Sequence, residues 1–194
     1  DDMDEYEGRF YQEAKAAGRL SHPNIVTIYD VGKSGNVAYI AMELLQGREL
    51  RDIMNDGGVL PVDQVLDIVA QVALGLAYAH EHDIVHRDVK PSNVLLANDG
   101  LIYLADFGLA RIAQSGESTL TSDMVLGTPQ YISPEQAISK KDLDEGTDIY
   151  SFGVMIYEMV VGRVPFSADT PFSIIHDHIY TPLPLPQTIN PNVP

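Results

Sequence analysis

The sequence predicts an α+β fold, β-rich near its start and mainly helical afterwards. Three observations carry that expectation. Two apolar, β-branched runs, Ile25–Val31 and Val37–Glu43, flank the turn-forming residues Gly32, Ser34, Gly35 and Asn36, as in a strand–turn–strand unit. From Val62 onward, Val65, Leu66, Val69, Ala73, Leu76 and Ala77 keep helical spacing. A later stretch, Asp148 to Val161, is apolar on nearly every side, as expected of a helix at the centre of a core.

The elements follow in order. Residues 9–20 read as a helix with Phe10, Ala14, Ala17 and Leu20 near one face. Ser21-His22-Pro23-Asn24 stops it, because a proline disfavours helical geometry at the residue before it. After the strand pair, Leu45-Gln46-Gly47 breaks the pattern and a short helix runs from about Glu49 to Asn55. Pro61 sits at the first position of the long helix, where its missing N–H costs nothing, and that helix extends to His82. Short strands, Val94–Leu96 and Leu101–Leu104, flank the turn Asn98-Asp99-Gly100. From Asp106 to Glu135 hydroxyls and turn residues show little periodicity, which predicts a long functional loop. Thr147 is the expected N-cap of the helix from Asp148 to Val161. A short helix at Pro171–Tyr180 precedes a proline-rich end, and no internal repeat is present.

At 194 residues, with 45% apolar and 21% charged side chains, the chain has the size and composition of one folded domain. Its 28 acidic and 12 basic side chains give a net charge of −16, which argues against nucleic-acid or anionic-membrane binding. The absence of cysteine excludes disulfides and thiolate metal sites and fits a reducing compartment. Asp1-Asp2-Met3-Asp4-Glu5 is the opposite of a basic leader. The apolar run Ile149 to Val161, interrupted by Glu158, falls short of the roughly 20 residues that span a bilayer. A soluble, cytoplasmic segment without direct membrane contact is expected, as a free chain or as part of a membrane-anchored parent.

The chemistry is concentrated in His86-Arg87-Asp88-Val89-Lys90-Pro91-Ser92-Asn93 and in Asp106-Phe107-Gly108. Asp88 is a carboxylate able to orient a hydroxyl and take its proton. Lys90, two residues on, reaches the same side of an extended loop, where it can face a phosphate. Asn93 and Asp106 supply hard oxygens suited to Mg²⁺. Gly108 permits the tight backbone that turns Asp106 inward. Either segment alone reads as an ordinary loop; together, with a strand pair between them, they read as a site for phosphoryl transfer. The other histidines, His80, His82, His176 and His178, lack a third ligand at metal-site spacing and read as surface or packing residues.

From about residue 9 onward these motifs resemble the eukaryotic-type (Hanks-type) protein Ser/Thr kinase family. The phrases HPNIVTIYDVG and GTPQYISPEQ look most like its bacterial members. The resemblance implies a protein-kinase-like fold in truncated form. Residues 1–43 would be the remnant of the small lobe, with its helix and two strands. Residues 44–47 would be the hinge, and 48–194 a large lobe incomplete at its C-terminal end. It implies transfer of the ATP γ-phosphate to Ser/Thr hydroxyls of protein substrates, with ATP and Mg²⁺ as cofactors. Asp88, Lys90, Asn93 and Asp106 take the catalytic roles, with Asn93 and Asp106 on the metal. His86, Phe107 and Gly108 frame them. Arg87 would pair with a phosphorylated hydroxyl among Thr119, Thr121 and Ser122, and Thr128 would stand beside Asp88 and Lys90.

On the nucleotide side, Met42 matches the gatekeeper, Glu43 to Leu45 the segment that hydrogen-bonds adenine, and Leu95 the floor beneath the base. Glu49 either reaches the ribose or simply complements a helix start. Asp148 matches the buried acid that fixes the catalytic-loop backbone, with dipole complementarity at a helix start as the plainer alternative. Glu135 stands in Ser133-Pro134-Glu135, where the family usually has Ala-Pro-Glu, and the arginine expected to pair with it would lie beyond Pro194. Glu13 matches the glutamate that pairs with a phosphate-clamping lysine.

No lysine precedes Lys15, however, and no G-x-G-x-x-G occurs. The 194-residue chain by itself is therefore expected to be inactive, with Val37–Glu43 left as a sheet edge. Three hypotheses remain: part of an active Ser/Thr kinase, a pseudokinase-like binding or scaffold module, and a small-molecule phosphotransferase. Intact Asp88, Asn93 and Asp106 disfavour the second; Lys90 and GTPQYISPEQ disfavour the third. A dimer of kinase domains in a longer parent is compatible with the first.

Overall fold

The computed structural model describes residues 14–35, 37–107, 129–140 and 142–193. Of the expected first helix, residues 14–17 are helical and the chain then turns, with Gly18 N–H donating to Ala14 O at 2.9 Å. Ala14, Ala17 and Leu20 are buried, so the apolar face read from the sequence points inward. Phe10 and Glu13 lie outside the described residues.

Two strands follow, β1 (Ile28–Ser34) and β2 (Val37–Met42), paired antiparallel with Ser34 opposite Val37. The first starts three residues later than the sequence predicts and runs through Gly32 and Ser34, two of the predicted turn residues. The reason lies outside the hairpin. Val26 N–H donates to Leu104 O at 3.0 Å and Leu104 N–H to Asn24 O at 2.9 Å, so this stretch is tied to a distant strand instead. The Asn24 side-chain amide completes the tie, donating to Ile102 O at 2.9 Å and to Gln71 Oε1 at 2.8 Å. Only Gly35 remains of the expected described turn residues, at φ 62°, where glycine is at ease.

A second sheet has the order β3 (Gly47–Glu49), β4 (Val94–Ala97), β5 (Ile102–Leu104), all antiparallel. The sequence placed a break at Leu45-Gln46-Gly47; the break ends at Gln46, and Gly47 opens β3 opposite Ala97. Three residues between turns carry too little periodicity to be read as a strand. Gly47 is required there, because a Cβ would lie 2.2 Å from Leu96 O and 2.7 Å from Ala97 Cα.

Helix α1 (Leu50–Gly57) begins directly after β3, with Glu49 as its N-cap. Helix α2 (Val62–Glu81) follows Pro61, which caps the helix rather than starting it. By length and composition α2 could cross a membrane, yet Val65, Ile68, Val72, Leu76 and Ala79 are buried in the protein core. A single 3₁₀ turn, Pro91–Asn93, leads into β4.

The expected loop ends early, at α3 (Pro134–Ala137). Its start is a capping box: Gln136 N–H donates to Ser133 Oγ at 3.2 Å and Ser133 N–H to Gln136 Oε1 at 3.0 Å. Helix α4 (Glu145–Val161) is capped by Asp144, whose carboxylate accepts from Gly146 N–H at 3.0 Å. The expected cap, Thr147, is instead a fully buried helical residue. Asp144 wins because the helix begins three residues earlier, which puts Thr147 inside the first turn. Helices α5 (Pro171–Tyr180) and α6 (Pro186–Ile189) close the described chain; the latter lies in the proline-rich end. Met155 and Met159 of α4 join α1, α2, β4 and β5 in one core, as the apolar pattern predicts.

Replacing Gly47 with alanine should lower stability by about 1–3 kcal/mol, the usual cost of overpacking. Gly57→Ala, where nothing lies within 4 Å, should be neutral or slightly stabilising. Urea denaturation of both variants checks the contrast.

Candidate active site

The site is built around a carboxylate with no exposure to solvent. Asp148, in the first turn of α4, is 0% exposed. Its Oδ1 accepts from Arg87 N–H and its Oδ2 from His86 N–H, both at 2.7 Å. His80 Nε2 also lies 2.7 Å from Oδ2. A buried carboxylate is tolerated only with donors of this kind, and here two of the three are the backbone of the His86–Asn93 loop. Gln136 of α3 holds the same loop from another side, donating from Nε2 to Arg87 O at 2.8 Å.

His86 is buried, and its tautomer follows from its partners. Asp88 N–H donates to Nδ1 at 3.2 Å, so the ring proton sits on Nε2 and is given to Ala105 O at 2.7 Å. Burial holds its pKa below the ordinary value, outweighing the nearby carboxylates of Asp148, Asp88 and Asp106. The ring also packs on Phe107, with centroids 4.5 Å apart. Ala105 N–H donates to Asn93 O at 2.9 Å. The two motif segments are thus joined by backbone and ring contacts, as their joint reading requires.

Asp88 and Asn93 face each other across this loop. Asn93 Nδ2 donates to Asp88 O at 2.7 Å and to Asp88 Oδ2 at 3.0 Å, and Lys90 Nζ lies 2.7 Å from the same Oδ2. With its nitrogen committed, the Asn93 amide keeps its oxygen for another partner. Arg87 and Asp106 have left-handed backbones, at φ 69° and 63°. Such residues cost about 1–3 kcal/mol unless the surroundings hold them, and they concentrate at functional sites. Asp106 itself is exposed while Phe107 is buried.

A small depression opens beside Asp106, lined by Met42 and Phe107 with Ala17, Ile25, Val26 and Ile28. Glu43 is held by its N–H to Thr27 O at 2.8 Å. Leu95 is half-buried in β4, opposite Glu49 and Tyr103. Glu49 is exposed and caps α1 without a side-chain bond. Glu135 accepts from the Thr147 hydroxyl at 3.0 Å. Glu13, Gly108, Thr119, Thr121, Ser122 and Thr128 lie outside the described residues.

Sequence reasoning missed two parts. The sequence reads His80 as a surface or packing residue, yet it shares the Asp148 carboxylate; nothing in its local pattern signals a partner 68 positions away. The second is Glu158, buried in α4. It takes two bonds from Arg51 of α1, at 2.9 and 3.2 Å, and one from the Tyr131 hydroxyl, which also meets Arg51. Burial and the bond to Glu158 push the Tyr131 hydroxyl well above its usual pKa. An acid inside an apolar helix was the available signal, since it must find a partner.

The pKa of His86 sets a pH dependence. The unfolded ring binds a proton near 6.5 and the folded ring resists it, so the folded state binds fewer protons and loses stability as pH falls below that value. His178, also lowered by burial first, contributes with the same sign. Urea midpoints should fall between pH 7.5 and 5.5, and ¹⁵N shifts at pH 6.5 should report a neutral His86 protonated at Nε2.

The family model for the protein kinase domain matches residues 1–192. A probable serine/threonine-protein kinase of Clostridium acetobutylicum is 43% identical over 192 residues, 98% of this chain and 29% of that protein. The serine/threonine-protein kinase PrkC of Bacillus subtilis is 39% identical over 194 residues, again 98% and 29%. PknB of Mycobacterium leprae is 39% identical over 175 residues, covering 88% of this chain and 28% of the relative. The chain therefore spans under a third of the length of these relatives. With a buried acid organising a loop that brings Asp88, Lys90 and Asn93 together, and a family match over residues 1–192, the chain belongs to the protein kinase domain family.

Proposed function

We propose that this chain is the acceptor-side and metal-side portion of a bacterial protein Ser/Thr kinase, which transfers the ATP γ-phosphate to Ser/Thr hydroxyls of proteins. The observation that carries the reading is the shared Asp88 carboxylate, held at Oδ2 by both Asn93 and Lys90 on a loop fixed from behind by Asp148. Residues 1–43 act as small lobe, 44–47 as hinge and 48–194 as large lobe.

Asp88 orients the acceptor hydroxyl and takes its proton as the oxygen bonds to the γ-phosphorus and the bond from that phosphorus to the departing ADP oxygen breaks. Lys90 turns from Asp88 to the transferring phosphate. Asn93, through its uncommitted oxygen, and Asp106, exposed on its left-handed backbone, supply the hard oxygens that Mg²⁺ requires. When bound, the metal neutralises charge on the phosphates. Met42, Glu43, Leu45 and Leu95 receive the adenine, with Glu49 at the ribose. Arg87 receives a phosphorylated hydroxyl from Thr119, Thr121 or Ser122 as a bidentate pair. Thr128 steadies Asp88 and Lys90. Glu13 awaits the clamping lysine. The kinase domain works in the cytoplasm on protein substrates.

Two outcomes are expected. A longer polypeptide that includes a glycine-rich loop and clamping lysine should phosphorylate a generic Ser/Thr peptide, with the rate falling about 10²–10⁴-fold on Asp88→Asn and vanishing on Asp106→Ala. The 194-residue chain alone should show negligible transfer in the same assay with radiolabelled ATP. Robust transfer by the short chain, abolished by Asp88→Asn, contradicts the second expectation. ATP–Mg²⁺ binding without any transfer by the longer chain would favour a scaffold.

A further inference from the structure

Helix α5 carries a buried histidine that the phosphotransfer chemistry does not use. His178 is 5% exposed, with its ring edge-on to Phe166 at 5.0 Å and to Tyr150 at 5.7 Å. Its Nδ1 lies 2.8 Å from the Tyr150 hydroxyl of α4. Burial, and next the Glu135 carboxylate, push the Tyr150 pKa up to about 12. The hydroxyl therefore keeps its proton; when it donates to Nδ1, the ring proton of His178 sits on Nε2. That nitrogen is buried and makes no hydrogen bond in this arrangement. The backbone of Pro129 and Gln130 is nonetheless near enough to favour a proton on the ring.

Those neighbours give the unsatisfied donor its meaning. Pro129 and Gln130 begin the stretch that runs through Tyr131, bonded to Glu158, and Ser133, the cap of α3. This is the GTPQYISPEQ segment, on which an extended acceptor peptide rests if the proposed function holds. A buried N–H left unpaired is destabilising, and a small approach of the Pro129–Gln130 carbonyls would satisfy it.

We propose that His178 is a positioning residue for peptide phosphorylation: anchored by Tyr150 at Nδ1, it seats the Pro129–Gln130 backbone through Nε2–H. Helix α5, which also packs on α3, then moves together with the peptide-bearing segment. The proposal rests on the kinase reading for its functional part, and for its structural part on the buried, unpaired Nε2 of a ring anchored by Tyr150, with the Pro129–Gln130 backbone close by.

Hydrogen exchange on the 194-residue chain tests the structural part. His178→Phe keeps the ring but loses both nitrogens, whereas His178→Gln keeps one acceptor and one donor. Amides from 130 to 136 should exchange roughly tenfold faster in the Phe variant, with protection in α4 unchanged and with the Gln variant close to wild type. Unchanged exchange at 130–136, acceleration spread equally over α4, or a Gln variant as fast as Phe would each overturn it. In a longer, phosphotransfer-competent chain, His178→Phe should raise peptide KM several-fold, with ATP KM unchanged. An unchanged peptide KM overturns the functional part. Absence of all transfer in the wild-type longer chain would instead refute the kinase reading, while the exchange result still decides the role of His178.

Discussion

The structure turns on one buried charge. Asp148 sits in the first turn of α4, where the positive end of the helix favours a carboxylate. Dipole complementarity alone does not sustain a fully desolvated acid, for which burial costs several kcal/mol. The balance comes from the loop. By accepting the backbone N–H groups of His86 and Arg87, Asp148 satisfies itself and fixes the strained turn that follows. Stability and site geometry therefore depend on the same bonds. The two explanations offered by the sequence for Asp148, helix-start acid and loop anchor, are both physically present.

What this constraint positions is a chain of short connections. Arg87 is held at a left-handed φ between Asp148 and Gln136. His86, the next residue back, carries the connection to Ala105 and Phe107, so the loop bearing Asp88 and the turn bearing Asp106 share a ring contact and a backbone bond. Asn93 O closes the circuit on Ala105 N–H. On the opposite side, Arg51, Tyr131 and Glu158 fasten the end of the 106–135 segment to α1 and α4. The loop bearing Asp88 and the segment bearing Tyr131 are thus braced by separate bonds that meet on α4.

The sequence made the local features legible and left the distant ones hidden. Helical periodicity placed α2 closely, because its burial follows spacing within one element. The motif segments stood out because residue type and spacing recur together there, and the structure does bring Asp88, Lys90 and Asn93 together. The start of β1 was misplaced since Asn24 and Val26 bond to Leu104, a choice made by tertiary pairing. Thr147 looked like a cap because Asp144, three residues earlier, satisfies the same preference. His80 and Arg51 were invisible because their partners, Asp148 and Glu158, lie 68 and 107 positions away. Glu158 alone gave a warning, as an acid in an apolar helix.

The buried Asp148 carboxylate holds the His86–Asn93 loop in its observed geometry. The most direct measurement is the ¹H–¹⁵N spectrum and amide exchange of the chain with Asp148→Asn, which keeps the shape but turns one acceptor into a donor. Loss of the carboxylate anchor should shift the His86 and Arg87 amides upfield, with roughly tenfold faster exchange at one or both. The Asn93 side-chain amide should also be displaced, while α2 and β5 keep their signals. Unchanged His86, Arg87 and Asn93 signals in a folded Asp148→Asn chain would contradict it.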